Sequence, residues 1–288
     1  MSDLILVTET GSDVPHTLAR QHGIYLVPMH VTFGTRTVDD GTFPPSEIYE
    51  HYDRTGTLPK TSGCTPDDFK RVFDALHGEF PEKHILHLAY SAATTCSYQS
   101  AVVAAEGAPY ITSIDTGHVS AGLAAIVLEA ADFLEQNPAL PVPQAVAAIE
   151  GLCRRTRMCF LPDDLEYLRA GGRVSNAACL GGRLLGLHPC IELLDGHLVA
   201  KKKYRGKLEQ VAPAVIWEFS QRESLQKDRL TLLWSLGLPE RVRCAAENEA
   251  MRCGFQSVLW VQTGGVITTH GGPSCFGVAG FAEPDDKS

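Results

Sequence analysis

The chain has 288 residues, of which 44% are hydrophobic and 20% are charged, and its formal net charge is −9. This composition is typical of a soluble globular protein, and the length suits two domains better than a single core. The acidic balance disfavours nucleic acid and anionic membrane surfaces as partners. Nine cysteines without a C-x-x-C pair indicate reduced thiols rather than a zinc site or a disulfide framework.

The opening residues predict neither an export signal nor a membrane anchor. The stretch MSDLILVTETGS has no basic start and no long apolar run, and an export signal requires both. No later window reaches the roughly 20 apolar residues that a membrane helix needs. We therefore expect a cytoplasmic protein with no stable membrane insertion.

Short apolar runs, polar turns and helical stretches alternate before Pro138. The predicted strands are 4–8, 24–33, 84–90 and 110–115. This order predicts an α/β domain with a mostly parallel sheet flanked by helices. Strand-to-helix turns of such a sheet gather at one edge, where helix N-termini favour a small anion. We therefore expect the turns at Ser12, Thr61, Ser91 and Thr116 to be neighbours. No dinucleotide or P-loop motif is present, so no nucleotide cofactor is indicated.

The segment LPKTSGCTPDD, residues 58–68, predicts a loop followed by a helix. Thr65 suits the N-cap, and Asp68 is placed for a capping box. Thr61 and Ser62 then lie just before the helix, with hydroxyls free to bind a ligand or to satisfy the loop backbone. Residues 35–43 are polar and are also expected to form a loop.

After a proline-rich joint at 137–143, the pattern predicts a second α/β domain with a mixed sheet. The predicted domains are 1–155 and 156–288. Within 162–205 we expect a helix ended by two glycines, then Arg173, a small-residue helix over about 176–185, and a hairpin around Asp195-Gly196. Arg173 could cap the first of these helices. His270 ends a predicted apolar strand before Gly-Gly-Pro.

These motifs, in this order, resemble the DegV family of bacterial fatty-acid-binding proteins. The matching segments span nearly the whole chain and are VTETGSD, LPKTSGCTP, YSAATTCSYQSA, SIDTGHVSAGL, LEYLRAGGRVSNAACLGGRLLGLHPCIEL, KYRG and GGVITTHGGP. The resemblance implies a two-domain α/β protein with a long-chain fatty acid buried between the domains. It also implies a dihydroxyacetone-kinase-like fatty acid kinase as partner. In that arrangement this chain is a carrier without catalytic activity, metal or cofactor. It presents the bound acid to the kinase and keeps the resulting acyl-phosphate.

The same resemblance suggests site residues. The fatty-acid-binding set that it implies is Thr61, Ser62, Ser91, Ala92 through its backbone, and His270. The set that it implies for phosphate or kinase contact is Arg173, Arg205 and His270. Ala92 stands where the family usually has a second serine, and Glu9-Thr10-Gly11 stands in place of Asp-Ser-Thr, so the head-group geometry is expected to differ.

Two other functions remain open from the residues. Ser91, His270 and Asp115 could form a nucleophile, base and orienting acid of a hydrolase, although no G-x-S-x-G elbow is present. A sensor that binds a lipid-like ligand without a kinase partner would carry the same motifs.

Overall fold

The computed structural model describes residues 3–163, 165–174 and 186–284, and over these residues it contains three β-sheets. The strands are β1 (Leu4–Glu9), β2 (Tyr25–Val27), β3 (His30–Phe33), β4 (Arg36–Asp39), β5 (Lys60–Ser62), β6 (His84–Ala89), β7 (Ile111–Asp115), β8 (Thr156–Leu161), β9 (Leu187–Leu194), β10 (His197–Arg205), β11 (Arg229–Trp234), β12 (Ser257–Gln262) and β13 (Phe276–Phe281). The helices are α1 (His16–Gln21), α2 (Ser46–Thr55), α3 (Pro66–Glu79), α4 (Ser97–Ala104), α5 (Ser120–Gln136), α6 (Val142–Arg155), α7 (Leu165–Gly171), α8 (Leu208–Arg222), α9 (Glu240–Arg252) and α10 (Gly265–Gly271).

The first sheet is parallel, with strand order β2-β1-β6-β7. Every residue of β1 is buried, as expected for a strand covered on both faces. The predicted strands at 4–8, 84–90 and 110–115 are confirmed. The predicted start of α3 is also confirmed, because the Thr65 side chain and the Asp68 side chain form a reciprocal capping box.

A separate three-stranded antiparallel sheet, with order β4-β3-β5, corrects two predictions. Residues 24–33 form two strands in different sheets, since Pro28 cannot donate a backbone hydrogen bond and the chain changes direction there. The expected loop at 35–43 contains β4. Thr61 is therefore not in a turn at the edge of the parallel sheet; it lies on β5, paired with Val31.

The third sheet has six strands in the order β10-β9-β8-β13-β11-β12, and it is mixed because β11 and β12 are parallel while the other pairs are antiparallel. The hairpin around Asp195-Gly196 is confirmed, with φ angles of 49° and 76° at these residues. Sequence analysis missed β8 and β13, which occupy the centre of this sheet. The α/β class with a parallel and a mixed sheet is confirmed, whereas the boundary between residues 155 and 156 stays a prediction.

Helix α5 lies between the parallel and the mixed sheets. It contacts β1 on one side and β8, β11 and β13 on the other. Its sequence reads as amphipathic, yet it is buried along nearly all its length, including Leu123 and Ile126. Because one helix covers both sheets, it fixes their relative position and frames the space at its own N-terminus.

Two helices near that space bear on earlier predictions. Helix α7 ends at Gly171 and is followed by Gly172, which has a φ of 63°, as the Gly-Gly pair predicted. The predicted apolar strand before His270 is wrong, since these residues form α10. The small-residue helix expected over 176–185 lies outside the described residues. Among the helices that are described, none is long and apolar enough to cross a membrane.

Candidate functional site

A narrow cavity opens between β5, the turns after β6 and β7, and helices α7 and α10. Most of its wall is apolar and is formed chiefly by Met158, Phe160, Leu168, Leu198, Leu233 and Val266. Polar groups, which include Thr61, Ser62, Thr94, Thr95, Arg173 and His270, come from the loops and short elements around it. An apolar channel with few polar groups is the usual form of a small-molecule site.

The hydroxyl of Thr61 and the imidazole of His270 form a hydrogen bond in this cavity, with 2.8 Å between Oγ1 and Nε2. Burial, assisted by the charge of Arg173, lowers the pKa of His270 to about 4. The imidazole is therefore neutral near pH 7. If its Nε2 carries the proton, it donates to Thr61 Oγ1, and the Thr61 hydroxyl remains able to donate to a ligand.

Two carboxylates fix the helix that carries His270. The backbone N–H of Gly264 donates to Asp13 Oδ1, and that of Gly265 donates to Asp40 Oδ1, each at 2.7 Å. These bonds satisfy free N–H groups at the helix start and place two carboxyl groups at its positive end. Burial raises the pKa of both carboxyl groups. A Cβ atom at position 265 would lie 2.4 Å from the ring of Phe43, so only glycine fits there.

The two glycines at the end of α7, Gly171 and Gly172, have different roles. A Cβ atom at position 171 would lie 2.2 Å from His270 Nδ1, so glycine is needed for the imidazole to approach. Gly172 instead supplies the left-handed conformation that ends the helix. The sequence predicted the helix end and missed the contact between Gly171 and His270.

Arg173 lies at the mouth of the cavity and is exposed. Its Nη1 donates to the carbonyl of Gly171 at 2.7 Å, so it also caps α7. Its charge acts on the pKa values of both His270 and Tyr90. Arg205 ends β10, is exposed, and does not line the cavity. The structure thus brings Arg173, but not Arg205, to the Thr61–His270 pair.

Ser91 and Ala92 face away from this pair. The buried Ser91 hydroxyl donates to the carbonyl of Gly196 at 2.8 Å, and the N–H of Ala92 donates to Asp115 Oδ1 at 3.1 Å. Ser91 and Asp115 line a second groove, between α6 and the β9–β10 hairpin. The four segments expected to be neighbours at one edge do not form one site: Thr61 lines the first cavity, Ser91 and Thr116 line the second groove, and Ser12 lines neither. The hydrolase arrangement is not assembled, because His270 lines the other cavity.

Sequence reasoning missed several cavity residues. Tyr90, Thr94, Thr95 and Ser120 line the cavity, although the hydroxyl-rich turn after β6 was recognised. Gly63 packs against this turn so closely that a Cβ atom there would lie 2.4 Å from Thr95 Oγ1. The available signal was the sequence SAATTCS itself, in which the two threonines, rather than Ser91, reach the cavity.

Of the described side chains, His22, Asp132 and Glu135 could offer ligand atoms to a metal ion, with these atoms within 4.8 Å of one another. Arg229 already pairs with Asp132 at 3.4 Å. No residue of this group lines the cavity, so it has no part in the site described above.

Comparison with known proteins agrees with the geometry. A family model described as "Uncharacterised protein, DegV family" matches residues 4–283. A DegV domain-containing protein of Streptomyces coelicolor is 28% identical over 281 residues, covering 95% of this chain and 96% of that protein. One from Caldanaerobacter subterraneus subsp. tengcongensis is 26% identical over 288 residues, covering 96% and 98%.

Solved structures show the same arrangement of elements. A DegV family protein from Thermus thermophilus, described by its fatty acid binding, has a TM-score of 0.86 at 29% identity, covering 97% of this chain and 99% of that chain. A fatty acid binding DegV family protein from Streptococcus agalactiae has a TM-score of 0.84 at 20% identity, covering 99% and 100%, and at that identity it shows the fold alone. Because the family model spans almost every described residue, this chain belongs to the DegV family.

Proposed function

We propose that the protein binds a long-chain fatty acid, with the carboxylate beside Thr61 and His270 and the tail along the apolar walls. The observation that carries this proposal is the cavity itself, which combines a mostly apolar lining with a hydrogen-bonded polar pair. The 29% identical Thermus thermophilus protein, described by its fatty acid binding, supports the same ligand class.

The tail and the carboxylate of the fatty acid contribute differently to the free energy of binding. Each buried CH₂ group contributes roughly 0.8 kcal/mol, so a long tail contributes on the order of 10 kcal/mol before ordering costs. A hydrogen bond to a charged group contributes roughly 1.5–3 kcal/mol. The tail therefore supplies most of the affinity. Thr61, Ser62 and His270 set the position of the carboxylate, which needs hydrogen bonds once it leaves water.

We further propose that the bound acid is presented to a dihydroxyacetone-kinase-like fatty acid kinase. Arg173 supports this step, since it is exposed at the cavity mouth and a guanidinium pairs well with phosphate oxygens. Arg205 lies elsewhere on the surface, on the outermost strand of the mixed sheet, where it suits a protein contact better than the acyl-phosphate. In this proposal the chain carries the acyl-phosphate and the kinase supplies the chemistry.

The first experiment is mass spectrometry, native and after solvent extraction, on protein purified without added ligand. We expect a stoichiometric fatty acid that is lost or reduced in Thr61→Ala. The matched control is Thr37→Ala, because Thr37 is an exposed threonine of the same small sheet and bonds to Thr32 rather than to the cavity. Protein that is empty and refuses added fatty acids would contradict the proposal.

The remaining alternatives separate by two further assays. A lipid sensor without a kinase would bind the acid and fail to co-purify with a kinase subunit. A hydrolase would turn over a generic ester or thioester, and the separation of Ser91 from the cavity that holds His270 disfavours this outcome.

A further inference from the structure

Tyr90 lines the cavity, and the site described above gives no role to its hydroxyl group. It follows β6 directly, lines the cavity, and is 8% exposed. Its backbone N–H donates to Glu9 Oε2 at 3.0 Å. Its ring packs closely against Gly11, where a Cβ atom would lie 3.1 Å from Cε2. The backbone and the ring of Tyr90 are therefore held in place by these contacts, whereas its hydroxyl is not used in them.

Within the described part of the chain, the Tyr90 hydroxyl has no hydrogen-bond partner. The oxygen is also absent from the fully enclosed polar atoms that lack one, so it reaches open space. For a side chain buried to this degree, the open space is the cavity. Buried tyrosine hydroxyls usually find a partner, so this phenol is prepared to donate to something that enters.

The surroundings of Tyr90 indicate which end of a ligand it would meet. Tyr90, Arg173 and His270 line the same cavity, and the charge of Arg173 acts on the pKa values of the other two. Burial raises the pKa of the phenol, so the group stays a donor at neutral pH. Ser91 and Ala92, the next two residues, direct their polar groups elsewhere. Thr94 of the same turn already donates to the Ser91 carbonyl at 3.0 Å, and Thr95 already shares a hydrogen bond with Ser97 at 3.3 Å. Tyr90 therefore offers this end of the cavity a hydroxyl without a described partner.

We propose that the Tyr90 hydroxyl donates a hydrogen bond to the carboxylate of the bound acid, together with Thr61. This inference rests on the proposed function. The contact with the ligand head group that was expected from Ser91 is assigned here to Tyr90, the residue immediately before it. A donor at this position favours ligands whose head group accepts hydrogen bonds. The ring is already fixed, so binding orders little additional side chain.

The test compares Tyr90→Phe with the wild type and with Tyr110→Phe. Tyr110 stacks on His77 with 3.7 Å between ring centroids and lies outside the cavity. The readouts are the Kd for palmitate, the ¹³C resonance of carboxyl-labelled palmitate in the complex, and the thermal midpoint of the ligand-free protein. We expect palmitate affinity to fall about tenfold in Tyr90→Phe and the bound carboxyl resonance to move. The ligand-free midpoint should stay unchanged, because the hydroxyl has no described protein partner.

Two results would overturn the inference in distinguishable ways. If the wild type binds palmitate and Tyr90→Phe matches it in both Kd and carboxyl resonance, the hydroxyl does not contact the head group, and the proposed function stands. If the wild type itself takes up no palmitate, the proposed function fails and this assignment fails with it. A fall in affinity accompanied by an equal fall in Tyr110→Phe would mark a general effect on folding and would also overturn it.

Discussion

The Ser91 hydroxyl donates a hydrogen bond to the carbonyl of Gly196 at 2.8 Å, and so joins two turns that are 105 residues apart in the sequence. One turn follows β6 of the parallel sheet, and the other connects β9 to β10 of the mixed sheet. The contact is tight, since a Cβ atom at Gly196 would lie 2.9 Å from Ser91 Oγ. Ser91 therefore joins the two sheets beside the cavity, and it is not among the residues that line that cavity.

This contact predicts the effect of Ser91→Ala. Removing the hydroxyl leaves the Gly196 carbonyl without this donor, at a cost of about 1–3 kcal/mol in the free energy of unfolding. Urea denaturation should show that loss, while the Kd for palmitate changes less than threefold. A tenfold loss of affinity with unchanged stability would return Ser91 to the ligand site, as the family pattern had suggested.

The two glycines at the end of α7 predict different consequences for the same substitution. Gly171→Ala should displace His270, because the new methyl group would lie 2.2 Å from Nδ1. We expect at least a tenfold loss of palmitate affinity. Gly172→Ala should instead destabilise the fold by roughly 1 kcal/mol, because its φ of 63° disfavours a side chain. Calorimetric titration and thermal unfolding of both variants separate the two effects, and similar results for both would argue against the assignment.

Two histidines with lowered pKa values, the buried His118 and the half-buried His270, predict an acid-sensitive stability. Burial lowers the pKa values of His118 and His270 to about 4 from a reference of 6.5. The unfolded chain then binds more protons than the folded protein in this range. The contribution of these two histidines to the free energy of unfolding is complete above about pH 6.5 and is lost as the pH falls towards 4. Each shift corresponds to roughly 3 kcal/mol at most, and to less for His270, which faces the cavity.

The measurement is urea unfolding of ligand-free protein at pH 7.5, 5.5 and 4.5. His118→Gln and His270→Gln should each show a shallower loss of stability than the wild type. Comparison at equal pH cancels the opposite contribution of Asp13 and Asp40, whose pKa values are raised by burial. Parallel pH profiles for all three proteins would contradict the prediction.

The position of Arg173 predicts a separation of binding from phosphorylation. Arg173→Ala should lower kinase-dependent formation of acyl-phosphate at least tenfold and leave palmitate bound, because the tail supplies most of the affinity. Arg173→Lys should recover part of the activity, since lysine keeps the charge without the planar fork. Arg241→Ala is the matched control, as Arg241 is an exposed arginine that pairs with Glu209 away from the cavity. Full phosphorylation by Arg173→Ala would remove this residue from the kinase step.

Local patterns in the sequence identified most of the elements. Apolar runs predicted the parallel strands, and the Thr65–Asp68 spacing predicted a capping box that the structure contains. The ordered motifs were sufficient to identify the family, because each motif is a short stretch in which glycines or hydroxyl-bearing residues occur at fixed spacings along the chain. Thr61 and His270, which were predicted to bind the ligand, both line the cavity, and the expected strand before His270 is a helix.

Tertiary structure alone decided how these elements meet. The contact of Gly171 with His270 and that of Ser91 with Gly196 both join residues about 100 apart. Neither contact can be recognised from the neighbouring sequence, since a glycine that ends a helix cannot be distinguished there from a glycine that lets an imidazole approach the backbone. Whether a hydroxyl after β6 faces a ligand or a carbonyl depends on the packing of α5 between the sheets. The sequence by itself therefore determined the family and the chemistry available, and long-range packing determined which side chains reach the cavity.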